Sequence, residues 1–372
     1  MRIAQVAPLF ESVPPRLYGG TERVVSHLTE ELVWQGHDVT LFASGDSVTS
    51  ARLVAPCRRS LRLDESCIDQ LAHHVLMMEQ VFAAADSFDV IHFHIDYLHF
   101  PVSRRLRLPR LTTLHGRLDI PDLAPLYREY RTEPVVSISD AQRRPLRWAN
   151  WLATIPHGLP ESLFRLEPRP GDYLAFLGRI SPEKGVEHAI EIARRAGMKL
   201  RLAAKVDRVD REYFETVVRP LLQGPGVEFL GEISEGEKQE FLGGAYALLF
   251  PVVWPEPFGL VMIEAMACGT PVVAFPNGSV PEVLTEGVTG FICKGVEAAV
   301  EAVARVAGLS RLECRRTFDA RFTAARMASD YVRVYQRVAQ SRASSRSTPA
   351  GHEREYPARR ALSGSGELFP GA

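Results

Sequence analysis

The sequence predicts an α/β protein made of two doubly wound units, each a parallel sheet with helices on both faces. Three observations carry that reading. Short β-type runs alternate with helical patterns, as strands joined by helical crossovers do. The alternation restarts after a connector at 160–172 that holds Pro160, Pro168, Pro170 and Gly171. And 372 residues exceed what one hydrophobic core usually organises.

In the first unit the expected strands are 3–7, 39–42, 90–93, 111–114, 135–138 and 152–155. Each is a short apolar run, and such a run is buried on both faces in a parallel sheet. An amphipathic stretch at 21–34, ended by Gly36, reads as the first crossover helix. In the second unit the expected strands are 173–177, 200–203, 227–230, 247–250 and 272–275. A long helical pattern at 320–340 follows, with Phe322, Met327, Tyr331, Val334 and Tyr335 on one apolar side. The tail 341–372 is rich in Ser, Gly, Pro, Ala and Arg without apolar periodicity, and it reads as disordered. The domains are therefore set at 1–165 and 166–319, then the helix 320–340 and the tail.

Composition excludes several classes. Hydrophobic residues make up 46% and charged residues 24%, which are globular values. A net charge of −1 gives no global field that would attract nucleic acid. No apolar run is long enough to span a bilayer, and residues 1–7 are too short and strand-like for a signal peptide. Cys57, Cys67, Cys268, Cys293 and Cys314 are odd in number and include no CxxC pair, so they read as reduced thiols in the cytoplasm.

The most informative stretch runs from Trp254 to Gly269. Glu256 lies in a Pro-rich loop, and Glu264 lies eight positions on, inside an apolar run of helical spacing. Pro257 suits the first position of a helix and Gly269 its far end. That would put Glu264 about two turns in. A helix start binds phosphate through unpaired N–H groups, and carboxylates accept from sugar hydroxyls. Together they suit a nucleoside diphosphate carrying a sugar. The plainer alternative is an ordinary helix start with a chance acid, but Glu264 among Val261, Met262, Ile263, Ala265 and Met266 needs a partner.

Other strand-end loops add to this. Gly178–Gly185 follows a strand and opens a helix, with Ser181 as a cap and Pro182 at the first position. Arg179 and Lys184 would oppose that helix's dipole unless an anion lay between them; otherwise they are solvated surface charges. Tyr18-Gly19-Gly20-Thr21-Glu22 precedes a helix, where paired glycines admit a ligand or serve as a hinge. The spacings GxGxxG and GxxxxGK[ST] are absent. His115 ends a strand at the cleft side and is either functional or structural. His92 and His94 share one strand face, but with no Asp-x-Asp or HExxH in the chain a metal site is not expected.

Taken together these residues resemble the retaining family 4 glycosyltransferases of the GT-B fold. The carriers are Glu256 and Glu264 at E-x7-E spacing, Phe258-Gly259-Leu260 between them, Gly178–Gly185, residues 18–22, His115 and Ile155-Pro156-His157-Gly158. The resemblance covers about residues 1–340. It implies that Glu256 and the N–H groups of Phe258, Gly259 and Leu260 contact the donor sugar, and that Glu264 binds the ribose. Arg179 and Lys184 would hold the diphosphate. Gly19 and Gly20 would approach it from the other domain, and His115 would bond a donor hydroxyl. A loop matching Gly231-Glu232-Ile233 would bind the base. The last helix would cross back to the first domain. His157 departs from the pattern, which often has Asn there.

The implied reaction moves a sugar from a UDP- or GDP-sugar to a saccharide or lipid-linked acceptor hydroxyl, with retention and without metal or cofactor. An epimerase of the same fold and a non-catalytic nucleotide-sugar-binding protein are the alternatives. A glycoside hydrolase fits less well, since its acids must lie roughly 5–9.5 Å apart. Residues 143–151, basic with Trp148 and Trp151, could form a helix on the inner face of a membrane or an ordinary helix with core tryptophans.

Overall fold

A computed structural model of the chain describes residues 1–17 and 19–346, with side chains up to residue 340. It has two all-parallel sheets. The first, in the order β3-β2-β1-β4-β5-β6-β7, comprises β1 (Arg2–Val6), β2 (Asp38–Phe42), β3 (Arg52–Val54), β4 (Val90–Phe93), β5 (Arg110–Thr113), β6 (Val135–Ser137) and β7 (Trp151–Thr154). The second, in the order β10-β9-β8-β11-β12-β13, comprises β8 (Tyr173–Arg179), β9 (Lys199–Lys205), β10 (Val227–Gly231), β11 (Ala247–Phe250), β12 (Val272–Ala274) and β13 (Gly290–Ile292). The fold class expected from alternation, two doubly wound units, is the one found. The two strands not anticipated, β3 and β13, are three-residue edge strands.

Each sheet is covered on both faces, which is why its central strands are largely apolar. In the second sheet, Tyr173, Ala175, Leu248, Phe250 and Val272 pack with the helix Leu260–Ala267. Leu174, Phe176, Leu200, Leu202 and Val273 face the helices Val186–Arg195 and Val296–Arg305. In the first sheet, one face gathers Val6, Phe42, Ile91 and Phe93 with Met77, Met78 and Val81. The other face holds Ile3, Val90 and Leu111 under Met327, Tyr331, Val334 and Tyr335 of the final helix.

That final helix spans Ala324–Arg346. The single helix expected at 320–340 is in fact two. A helix at Arg311–Arg321 ends, Leu159 bridges Thr323, and the last helix starts anew and runs six residues past Gln340. Residues 341–346, expected to be disordered, are thus helical in backbone. The rest of the expected disordered tail lies outside the described residues. Residues 143–151 also correct an expectation, for they form no continuous helix: Asp140–Arg143 and Arg144–Leu146 are single turns, and Trp151 opens β7 with its Nε1 bonded to Leu146 O at 2.8 Å. Among the described residues no helix is long and apolar enough to cross a membrane.

Candidate active site

Both sheets turn their carboxyl ends to one cleft of about 710 Å³. Open parallel sheets bind ligands at that edge because strand-to-helix loops and helix starts converge there. Arg179 ends β8 and Lys205 ends β9, side by side in register. Glu232 follows β10, and Trp254 to Leu260 follow β11. From the first sheet come Gly19 and Gly20 after β1, His94 after β4 and His115 after β5. Every site residue expected from the sequence lines this cleft: Gly19, Gly20, His115, Arg179, Lys184, Glu232, Glu256, Phe258, Gly259, Leu260 and Glu264. Tyr18 lies outside the described residues.

The loop ahead of the helix is longer than Pro257 suggested. The helix starts at Leu260, capped by Gly259 at φ 79°. A Cβ at Gly259 would sit 2.8 Å from Met262 Cε and 2.9 Å from Phe250 Cζ, so both space and φ demand glycine. Glu264 therefore stands a little over one turn in. At this start the Met262 N–H bonds back to Gly259 O at 3.0 Å, and Gly20 lies against Leu260: an added Cβ there would meet Leu260 Cδ1 at 3.6 Å, ordinary contact.

The acids and bases of the cleft neutralise one another. Lys184 Nζ donates to Glu256 Oε2 at 2.5 Å, and Trp254 Nε1 donates to the same oxygen at 2.8 Å. Both bonds fall on one oxygen, which fixes the carboxylate and leaves Oε1 as its other acceptor. Lys184 also sits 5.0 Å from the Trp254 ring centroid, a cation–π contact. Arg179 is held by Glu183 at 2.6 Å and by Asp207 and Asp210 at 3.6 Å. This corrects the electrostatic argument from the sequence, because protein carboxylates meet the two cations. The turn they flank is also shorter than expected, one 3₁₀ turn at Pro182–Lys184, with the α-helix beginning only at Val186.

Glu264 is 3% exposed and has the partner that its apolar surroundings require. Lys238 Nζ donates to its Oε1 at 2.7 Å and pairs with Glu235 at 3.4 Å. Glu235 in turn pairs with Arg23 of the helix Gly20–Trp34, so the chain of charges crosses the cleft. Sequence reasoning missed Lys238, since it comes from a different helix, Glu235–Gly243.

Beside the charged lining residues Glu22, Arg23, Arg62 and Asp96, the first domain contributes a cluster of imidazoles. His94 Nδ1 meets His115 Nε2 at 2.9 Å. The His115 ring stacks on His157 at 5.3 Å between centroids, and His157 meets Phe258 edge-on at 4.9 Å. Desolvation pushes the His115 imidazole down to about 3 and holds His94 and His157 well below the ordinary histidine value. The pair His92 and His94, considered as metal ligands, is instead tied into hydrogen bonds. No cluster suited to a metal occurs among the described residues.

Comparison with known proteins supports the same reading. Residues 18–159 match the family described as Glycosyltransferase Family 4, and residues 164–318 match Glycosyl transferases group 1. The chain is 26% identical over 334 residues to the alpha-maltose-1-phosphate synthase of Mycolicibacterium smegmatis, covering 77% of this chain and 84% of that one. It is 26% identical over 373 residues to the phosphatidyl-myo-inositol mannosyltransferase of Mycobacterium leprae, covering 92% and 98%. Among solved structures, a glycosyltransferase involved in avilamycin A biosynthesis superposes with a TM-score of 0.72 at 26% identity, over 91% of this chain and 98% of that one.

Proposed function

From the premise that the chain is a glycosyltransferase of GT-B architecture, we propose that it transfers a hexosyl group from a nucleoside diphosphate to an acceptor hydroxyl, with retention of anomeric configuration. The observation that carries this is one cleft in which two cations, Arg179 and Lys184, stand beside the helix start at Gly259–Leu260 and its two glutamates. Charge grows on the departing phosphate in the transition state. The cations and N–H groups gathered there would stabilise it without a metal.

The ion pairs support a role for each residue. Glu256, steadied through Oε2 by Lys184 and Trp254, offers Oε1 to a sugar hydroxyl. Glu264, oriented by Lys238, offers its second oxygen to the ribose. A diphosphate entering beside Arg179 competes with Glu183, Asp207 and Asp210, so part of the binding energy goes into releasing that arginine. Glu232, after β10, faces the base. The acceptor approaches on the same face as the leaving group, and a phosphate oxygen takes its proton. The site is cytoplasmic in this reading, which suits five unpaired cysteines.

The test begins with a thermal-shift screen of UDP- and GDP-sugars, since a ligand at 100 times its Kd adds about 2.7 kcal/mol. The names of the relatives set the acceptor panel: sugar phosphates, free saccharides and vesicles containing phosphatidylinositol. NMR of the product reads its anomeric configuration, and a parallel reaction in EDTA reads metal dependence. Inversion, or activity lost in EDTA and restored by Mg²⁺ or Mn²⁺, would overturn the leaving-group chemistry.

A further inference from the structure

His115 ends a buried run of hydrogen bonds that reaches the final helix. Its Nε2 lies 2.9 Å from His94 Nδ1, and His94 Nε2 lies 2.8 Å from Gln5 Oε1. The Gln5 amide nitrogen donates to the Tyr335 hydroxyl at 3.0 Å, and that hydroxyl lies 2.7 Å from His92 Nδ1. His92 continues through Nε2 to Thr113 Oγ1 at 2.7 Å. Gln5, His92, Thr113 and Tyr335 are fully buried.

A neutral imidazole has one N–H donor and one acceptor nitrogen, so each link dictates the next. Gln5 Oε1 only accepts. His94 must then donate from Nε2, and its Nδ1 accepts. His115 must donate from Nε2, which leaves its Nδ1 bare. That Nδ1 is shielded from solvent and has no partner among the described residues. On the other side, the Gln5 N–H donates to the Tyr335 oxygen, which leaves the Tyr335 O–H to donate onward to His92 Nδ1 in its neutral form. Turning the Gln5 amide over reverses all these donors and puts the His115 proton on Nδ1.

We propose that Gln5 and Tyr335 are positioning residues which, acting through His94, hold His115 in the tautomer with a bare Nδ1. His115 lines the cleft, and Nδ1 is its one remaining ring nitrogen. A hydroxyl that reaches this shielded nitrogen meets an acceptor, and an ether or phosphate oxygen finds no donor there. A donor sugar lacking that hydroxyl is rejected on this account. The identity of the hydroxyl rests on the function proposed above, whereas the tautomer does not.

Two-bond ¹H–¹⁵N spectra of the full chain with labelled histidine separate bare from protonated ring nitrogens, and His115→Asn assigns the signal. The expected result is a protonated Nε2 and a bare Nδ1. Tyr335→Phe keeps the ring but removes the hydroxyl that holds the Gln5 amide, so His115 shifts toward a mixture of tautomers. Gln5→Met does the same from the other side. A proton on Nδ1 in the unaltered protein overturns the proposal, and so does an unchanged tautomer in both variants. Turnover of Tyr335→Phe should fall roughly tenfold, the worth of about one hydrogen bond, with nucleoside diphosphate affinity unchanged. If the tautomer shifts and turnover does not, the positioning of His115 stands and its placement beside the donor sugar falls.

Discussion

Toward the carboxyl ends of the first sheet runs an uncharged network of imidazoles, an amide and a phenol: the buried Gln5, His92, His94 and Tyr335, and the half-buried His115. Across the cleft the second sheet ends in Arg179, Lys184 and Lys205 against Glu183, Asp207 and Glu256. The difference follows from what each side can hold. A diphosphate needs charge, and a charged side chain needs partial solvent and paired acids. A sugar hydroxyl needs only one lone pair or one N–H, which a buried neutral network supplies with fixed direction. In the proposed function the cleft divides recognition between the ion pairs of the second sheet and a neutral histidine network of the first, which stands beside Arg23 and Arg62.

Acid should break that contrast first. His92, His94, His99 and His157 are buried, and desolvation lowers each well below the ordinary value. The folded value lies below the unfolded one, so the unfolded chain takes up protons first. The stability these histidines confer is complete above about pH 6.5 and is lost as pH falls, by up to about 1.4 kcal/mol per pH unit for each. Urea midpoints at pH 7.5, 6.5 and 5.5 should drop steeply below 6.5. A flat profile down to pH 5 would mean that the network tolerates charge.

Arg179→Ala comes next. Removing a preorganised donor to a developing anion costs about 2.7–4 kcal/mol, or 10²–10³ in rate. Single-turnover kinetics should show that loss, with a much smaller change in nucleoside diphosphate affinity. An equal loss in both would make Arg179 a simple binding cation. Glu264→Gln should weaken nucleoside diphosphate and intact donor alike, by roughly 1.5–3 kcal/mol for each charge-assisted bond. Glu256→Gln should spare the nucleotide and reduce turnover. Calorimetry of the two variants side by side decides, and equal nucleotide losses would erase the division between ribose and sugar.

Gly20→Ala is the gentlest probe. Its added methyl meets Leu260 Cδ1 at an ordinary 3.6 Å, so the melting temperature should hold. If the glycine admits phosphate, donor affinity should still fall several-fold. Unchanged affinity would make Gly20 a hinge and nothing more.

Much of this was legible in the sequence because parallel strands write themselves as continuous apolar runs. The exceptions are instructive. β3 and β13 are three-residue edges, too short to carry a period. The helix start was misplaced because Pro257 obeys a local rule, whereas the left-handed Gly259 obeys the crowding of Phe250 and Met262. Glu264 announced that it needed a partner but not which one, since Lys238 stands 26 positions away. The Gln5–Tyr335 bond spans 330 positions, and no local pattern links its ends.

The final helix has a consequence for how the protein is made. Met327, Tyr331, Val334 and Tyr335 cover the face of the first sheet that holds Ile3, Val90 and Leu111. Synthesis runs from the amino end, so the second sheet leaves the ribosome before that covering helix does. The earlier-made half therefore waits, one apolar face bare, while the later-made half already has all its strands. A chain cut before residue 324 would hold every strand of the second sheet and leave that face of the first sheet bare.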